Sequence, residues 1–203
     1  MPVIVIANPK GGVGKSTIAT NLAGYFSKQG HNVMLGDVDA QQSSRSWLAL
    51  RPGSLPPINA WEISDGRIAK PPKGTTHMVL DTPAGLDGAP LDEAMRIADK
   101  VIVPLQPSMF DILATQSFLQ KLVARRGKCE IGVIGMRVNI RTRAADQLAN
   151  YVSNLGLPVL GYLRETQNYV QLAALGATLW DISPSRVEKD LAQWHELIEW
   201  IKK

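Results

Sequence analysis

The sequence predicts an α/β fold, a doubly wound and mostly parallel sheet flanked by helices, on three observations. Short β-branched runs alternate with longer helical patterns, the order that βα units produce. The first run, PVIVIA at residues 2–7, is apolar without alternation, as a strand covered on both faces requires. It leads straight into a glycine-rich turn and then a helical pattern, the order of a phosphate-binding unit.

The remaining elements follow in turn. A helix is expected over 15–29, with Ile18, Leu22 and Phe26 one turn apart and Gly30 as its C-terminal stop. Strands are expected at 32–37, 78–81, 100–104, 130–138 and 158–163. Helices fit 42–50, 91–98, 111–125, 144–155, 169–175 and 184–201. The stretch 64–76, with Pro71, Pro72 and Gly74, reads as a loop. No repeat, linker or low-complexity tract interrupts the 203 residues, so one domain over 1–203 is expected, burying about 70% of its extended surface.

Composition narrows the classes. No apolar run reaches the roughly 20 residues of a membrane span. The opening MPVIVIANPK lacks the basic segment of a signal peptide. The lone Cys129 leaves no intrachain disulfide and no all-cysteine metal site within one chain, which fits a reducing cytoplasm. His31, His77 and His195 are scattered and form neither a metal set nor a triad. The five tryptophans read as packing residues. The net charge of +4 permits a polyanionic partner. Between Lys121 and Arg143 the sole acid is Glu130, against Lys121, Arg125, Arg126, Lys128, Arg137, Arg141 and Arg143.

The strongest motif is Lys10-Gly11-Gly12-Val13-Gly14-Lys15-Ser16-Thr17. Its glycines let backbone N–H groups converge on phosphates, and the following helix adds its positive end. Lys15 suits the β- and γ-phosphates of ATP, the Ser16 hydroxyl suits Mg²⁺, and Thr17 falls near the α-phosphate. Pro9 occupies the first glycine position of the ordinary G-x-x-x-x-G-K-[ST] pattern, and a second lysine stands at Lys10. In this the chain resembles the ParA/MinD superfamily of deviant P-loop ATPases.

That resemblance implies the rest of the site. Lys10 acts in trans on the ATP of a second subunit, making an ATP-dependent homodimer part of the active site. Asp37 supports the Mg²⁺ shell through water and Asp39 positions the attacking water, although Ala40 stands where relatives often have proline. Asp81, ahead of Thr82-Pro83-Ala84-Gly85, matches the second acidic motif and a switch loop. Asn139 resembles the residue that relatives hold near adenine. Pro104, Pro107 and Ser108 fall where relatives keep a nucleotide- or dimer-sensitive segment.

The family serves several trades. Iron proteins of the nitrogenase type need two cysteines per subunit. Tyrosine kinases of this fold carry a tyrosine-rich tail, whereas this sequence ends in WIKK. The last helical stripe, Val187, Leu191, Trp194, Ile198 and Ile201, sits opposite Glu188, Asp190, Glu196 and Glu199, a face that an anionic membrane repels. Core packing is therefore expected of it, and a membrane partner is not. The resemblance favours a partition or positioning ATPase that binds DNA non-specifically on the nucleoid and hydrolyses ATP slowly when stimulated by a ParB-like cargo adaptor. Arg141 and Arg164 match DNA-contacting arginines of relatives, and Lys121, Arg125, Arg126, Lys128 and Arg143 are added on charge. With the P-loop starting at residue 10, no N-terminal helix-turn-helix is expected. A MinD-like membrane ATPase and an ATP-dependent synthetase of the same fold are the alternatives.

Overall fold

The computed structural model describes all residues except 40, 65, 66, 69, 140 and 141, and describes only the backbone of 63, 64, 67 and 68. Its elements run β1 (Val3–Ile6), α1 (Lys15–Lys28), β2 (Val33–Asp37), α2 (Ser43–Ala49), β3 (Asn59–Trp61), β4 (Ile63–Ser64), β5 (Arg67–Ile68), β6 (His77–Asp81) and α3 (Gly88–Ile97). Then follow β7 (Lys100–Leu105), α4 (Met109–Arg125), β8 (Glu130–Met136), α5 (Arg143–Asn154), β9 (Val159–Leu163), α6 (Gln167–Ala174), a 3-10 turn (Leu179–Asp181), α7 (Pro184–Ala192) and α8 (His195–Lys202).

Seven strands form one sheet in the order β3-β2-β6-β1-β7-β8-β9, every neighbouring pair parallel. Strand β1 explains why its run is apolar throughout. Val3 and Val5 join the core beneath α3, α4 and α5, while Ile4 and Ile6 join the core beneath α1, α2 and α6 to α8. The chain winds one way from β1 to β6 and β2, and the other way to β7, β8 and β9. The turn after β1 thus sits at the topological switch point, where doubly wound sheets open a crevice.

Four expectations need correction. Residues 59–61 form an edge strand that the short, polar-flanked NAW run did not signal. The stretch read as a loop opens inside a two-stranded antiparallel pair, taking in the end of β4 and the whole of β5. Residues 184–201 are two helices, not one: α7 ends near Gln193 and α8 restarts at His195. The apolar stripe survives that break, since Val187, Trp194, Ile198 and Ile201 are all buried. Finally, His31 and His77 are not scattered; their rings lie 4.0 Å apart, with His77 stacked on Phe26. Burial and the neighbouring His31 push the His77 pKa down to about 4. As expected, the tryptophans pack: Trp47, Trp61 and Trp194 are buried, and Trp180 and Trp200 rest against the core.

One ion pair fixes the end of α2 to the 3-10 turn that packs on α1. The Arg51 guanidinium donates to both Asp181 carboxylate oxygens, at 3.0 and 3.2 Å, with both side chains almost fully buried. Asp181 also accepts from the Thr178 backbone and hydroxyl. Asp181→Ala, which strands the arginine in the interior, is expected to cost about 3–5 kcal/mol in urea unfolding.

Candidate nucleotide-binding site

The turn after β1 is shaped for close approach. Gly12 and Gly14 have φ of +72° and +101°, a region that side-chain-bearing residues rarely adopt, and a Cβ on Gly14 would lie 2.5 Å from Met136. Val13 is buried and anchors the loop from below. The Lys15 ammonium donates to the Lys10 carbonyl at 2.9 Å, spanning the loop. Burial lowers the Lys15 pKa, while the charges of Asp81 and Asp39 oppose that shift. Gly11, Gly12, Gly14, Lys15, Ser16 and Thr17 form one wall of a cavity of about 490 Å³, closed by Asp39, Gln41, Ser43, Ala84 and Arg137.

The acidic segments differ in their surroundings. Asp37 is engaged with backbone: it accepts from Asp39 N at 2.9 Å, Ser44 N at 2.8 Å and Arg45 N at 3.2 Å, and so orders the first turn of α2. Asp39 reaches the cavity and accepts from Gln41 N. Asp81 is buried at the end of β6, with Ser44 donating to one oxygen at 2.6 Å and the other oxygen without a hydrogen-bond partner among the described residues. Burial pushes its pKa up to about 6, against hydrogen bonds from Ser16 and Ser44 and the charge of Lys15, while the Asp37 charge adds to the rise. An unmatched buried carboxylate oxygen beside a serine hydroxyl and a phosphate-shaped loop fits a hard divalent cation such as Mg²⁺.

Two connections tie this loop to the rest of the sheet edge. Gly85 N donates to the Pro9 carbonyl at 2.7 Å, joining the loop after β6 to the P-loop. Lys10 N donates to Asn8 Oδ1, and the buried Asn8 amide reaches the Pro104 carbonyl. The Lys10 ammonium turns away from its own cavity to an ion pair with Asp111 in the first turn of α4. Asp111 is buried and also accepts from the Ser108 hydroxyl, while Ser108 caps the helix through Asp111 N. Sequence reading passed over Asp111, although Ser108-Met109-Phe110-Asp111 carries the S-x-x-D signature of a helix start.

The sequence expectations for the base fall differently. A second cavity of about 130 Å³ adjoins the first through Gly14, Thr17 and Arg137, and is walled by Arg164, Glu165, Thr166, Gln167 and Tyr169. Arg137, at φ +55°, lines both spaces, whereas Asn139 is exposed and lines neither. Arg164 is held in that wall by the fully buried Asp190 at 2.6 Å.

Those other cations are not as free as the sequence implied. The acids missing from the 121–143 segment come from α3 and its N-terminal cap: Asp87 pairs with Lys121 at 2.5 Å and Asp92 with Arg125 at 2.7 Å. Glu130 is paired with Lys100 at 2.8 Å. Arg126, Lys128 and Arg143 are exposed, and Arg141 lies outside the described residues.

The sheet with its switch-point turn, buried lysine and buried aspartate defines a P-loop nucleotide-binding domain. Residues 4–179 match the CobQ/CobB/MinD/ParA nucleotide-binding domain family, and the chain belongs to that family. It is 31% identical over 128 residues to the maintenance of carboxysome distribution protein A of Gloeobacter kilaueensis, covering 62% of this chain and 58% of that protein. It is 26% identical over 182 residues to the chromosome-partitioning ATPase Soj of Thermus thermophilus, covering 71% and 73%. A Borrelia burgdorferi plasmid partition protein solved with AMPPNP superposes with a TM-score of 0.74 at 19% identity, covering 98% of each chain, a likeness of fold.

The raised pKa of Asp81 has a measurable consequence. An acid whose folded pKa lies above its unfolded value loses stability as pH rises from about 4 to 6, here on the order of 3 kcal/mol for the nucleotide-free protein. Asp81→Asn is therefore expected to raise the apo melting temperature at pH 7.5 and to leave it nearly unchanged at pH 4, as followed by calorimetry.

Proposed function

We propose that this protein is a positioning or partition ATPase that binds Mg²⁺-ATP in the P-loop cavity and closes around it into a homodimer. In that state it holds DNA non-specifically on the nucleoid until a ParB-like cargo adaptor stimulates slow hydrolysis. The observation that carries the reading is Lys10. The ammonium of this second P-loop lysine is not part of its own cavity wall, and its side chain is 43% exposed, which supports a role on the ATP of a second subunit.

The roles follow from the placements. Backbone N–H groups of Gly11 to Gly14 and the Lys15 ammonium hold the phosphates, with Thr17 on the side of the second cavity, where the base enters. Ser16 and Asp81 hold the metal, and Asp37 supports that set indirectly by ordering the loop that carries Asp39 and Ser44. Mg²⁺ supplies charge compensation for the transferring phosphoryl group. Asp39, facing the cavity, orients the attacking water, a positioning task that phosphoryl transfer requires more than strong basicity. Asn139 remains the expected base contact by likeness to relatives; Arg137 and the Thr166–Gln167 turn are better placed to form the wall of its pocket.

The cargo reading draws on the relatives. One distributes carboxysomes and another partitions chromosomes, and this chain is proposed to perform a task of that kind. The membrane alternative loses support because the apolar stripe of α7 and α8 is buried against the sheet, and no helix among the described residues is long and apolar enough to cross a membrane. For the synthetase alternative, turnover with a metabolite in the absence of any adaptor is the discriminating observation.

Two outcomes are expected. Lys10→Ala should still bind a fluorescent ATP analogue within a few-fold of wild type, yet fail to dimerise with ATP in light scattering and fail to retain DNA. A variant that dimerises and hydrolyses normally would overturn the trans role. Asp111→Asn, which removes the ionic hold on Lys10, should increase the ATP-dependent dimer fraction by severalfold, read by analytical ultracentrifugation.

A further inference from the structure

The cavity of about 130 Å³ beside the P-loop has one wall whose cation is fixed from behind. Arg164 is the first residue after β9, and its backbone N–H donates to the Gln193 side chain at 2.9 Å. Its guanidinium Nε donates to one Asp190 oxygen at 2.6 Å, and Asn168 Nδ2 donates to the other at 2.5 Å. Asp190 lies on α7 with no exposed surface, so one buried carboxylate holds both the residue after β9 and the first turn of α6. The corner between α7 and α8 is in turn seated on the strand: a Cβ on Gly161 of β9 would lie 3.0 Å from the Gln193 carbonyl. The fully buried Trp194 donates from its indole to the hydroxyl of Tyr169, a further lining residue, at 3.0 Å.

The charges at this cavity cancel. Its charged lining residues are Arg137, Arg164 and Glu165, and Asp190 stands behind Arg164, two cations against two acids. Met136, Tyr169 and Val170 supply apolar surface beside them. Such a lining favours a flat neutral heterocycle over a phosphate, which needs an excess of cations or aligned N–H donors. The Arg164 side chain remains 42% exposed with its Nε edge engaged. What a guanidinium held in that way still offers a ligand is its planar face, which stacks on aromatic rings.

We propose that the Arg164 guanidinium is the stacking platform for the nucleotide base, with Asp190 as its positioning residue. The inference rests on the ATP reading above and deepens it by naming what grips the base. Every base has a π-face, so the platform adds affinity for ATP and GTP alike and leaves the choice between them to other contacts. Binding here depends on the shape of the Arg164 side chain, whereas contact with a phosphate would depend on its charge. Lysine keeps the charge and loses the plane, which makes the two roles separable.

The test is calorimetric titration of the intact chain, with Mg²⁺, by ATP, GTP and inorganic tripolyphosphate, which carries the phosphate chain without a base. Wild type should bind both nucleotides more tightly than tripolyphosphate. Arg164→Lys should weaken ATP and GTP about tenfold and leave tripolyphosphate within about twofold of wild type. Asp190→Asn, which removes the ionic hold on the guanidinium, should show the same split. Arg164→Lys alters a part-exposed side chain and decides the matter even where Asp190→Asn fails to fold. An Arg164→Lys protein that binds ATP as wild type does, or that loses ATP and tripolyphosphate equally, would overturn the platform and leave the ATPase reading intact. Wild-type protein that binds none of the three ligands would remove the ATP reading and this inference with it.

Discussion

Two opposite charges, Lys15 and Asp81, are withdrawn from water at the edge of one parallel sheet, and much of the architecture exists to hold them there. Burial shifts both toward their neutral forms, the lysine pKa down and the aspartate pKa up. Their mutual attraction opposes each shift without abolishing it. One Asp81 oxygen keeps no partner among the described residues even with Ser16 and Ser44 close by. A buried carboxylate left in that condition destabilises the fold unless a cation arrives. The site is thus held under electrostatic tension that the proposed Mg²⁺-nucleotide would relieve, and such relief would be the differential free energy that a nucleotide-driven switch requires.

The tension is transmitted through a few hydrogen bonds at the same edge. The loop after β6 is joined to the P-loop through Gly85 and Pro9, and α4 is joined to it through Asp111 and Lys10. The first turn of α4 displays Met109 and Phe110, with Leu113 in the next turn; these side chains are 55%, 82% and 57% exposed. If Lys10 left Asp111 for a phosphate, as proposed, the charge at the first turn of α4 would change beside those exposed apolar side chains. On the proposed function, communication between nucleotide and surface would need no long pathway, because the Lys10–Asp111 ion pair lies between the P-loop and α4.

The fold was legible in the sequence wherever a strand is buried on both faces, because continuous apolar runs such as PVIVIA and KVIVP have no other comfortable setting. It was illegible at the margins. The β3 strand has only three residues and one buried side chain, Trp61, so no period could declare it. The break between α7 and α8 leaves the apolar stripe in register, and the sequence pattern therefore reads as one helix. The P-loop residues were legible for a different reason: glycines at φ above +70° and a lysine spanning the loop are demanded by backbone geometry, and few other residue types satisfy it. Asp111 was missed because its significance is tertiary; nothing near it in sequence announces Lys10, 101 residues away.

Charge was the property that sequence represented least faithfully. Counting along 121–143 finds seven cations and one acid, yet folding lays Asp87 and Asp92 of α3 against Lys121 and Arg125. A polyanion that displaces such a partner must break an ion pair before making its own contact, so a paired lysine adds little to affinity while still counting toward net charge. What matters for phosphate recognition is the subset left unpaired on one surface, and in this segment the described candidates are Arg126 and Lys128 at one edge, with Arg137 at the P-loop cavity and Arg143 at the start of α5. On the proposed function, a chain of modest net charge would make few phosphate contacts per subunit, and an affinity so small would be the one most strongly changed by joining two subunits.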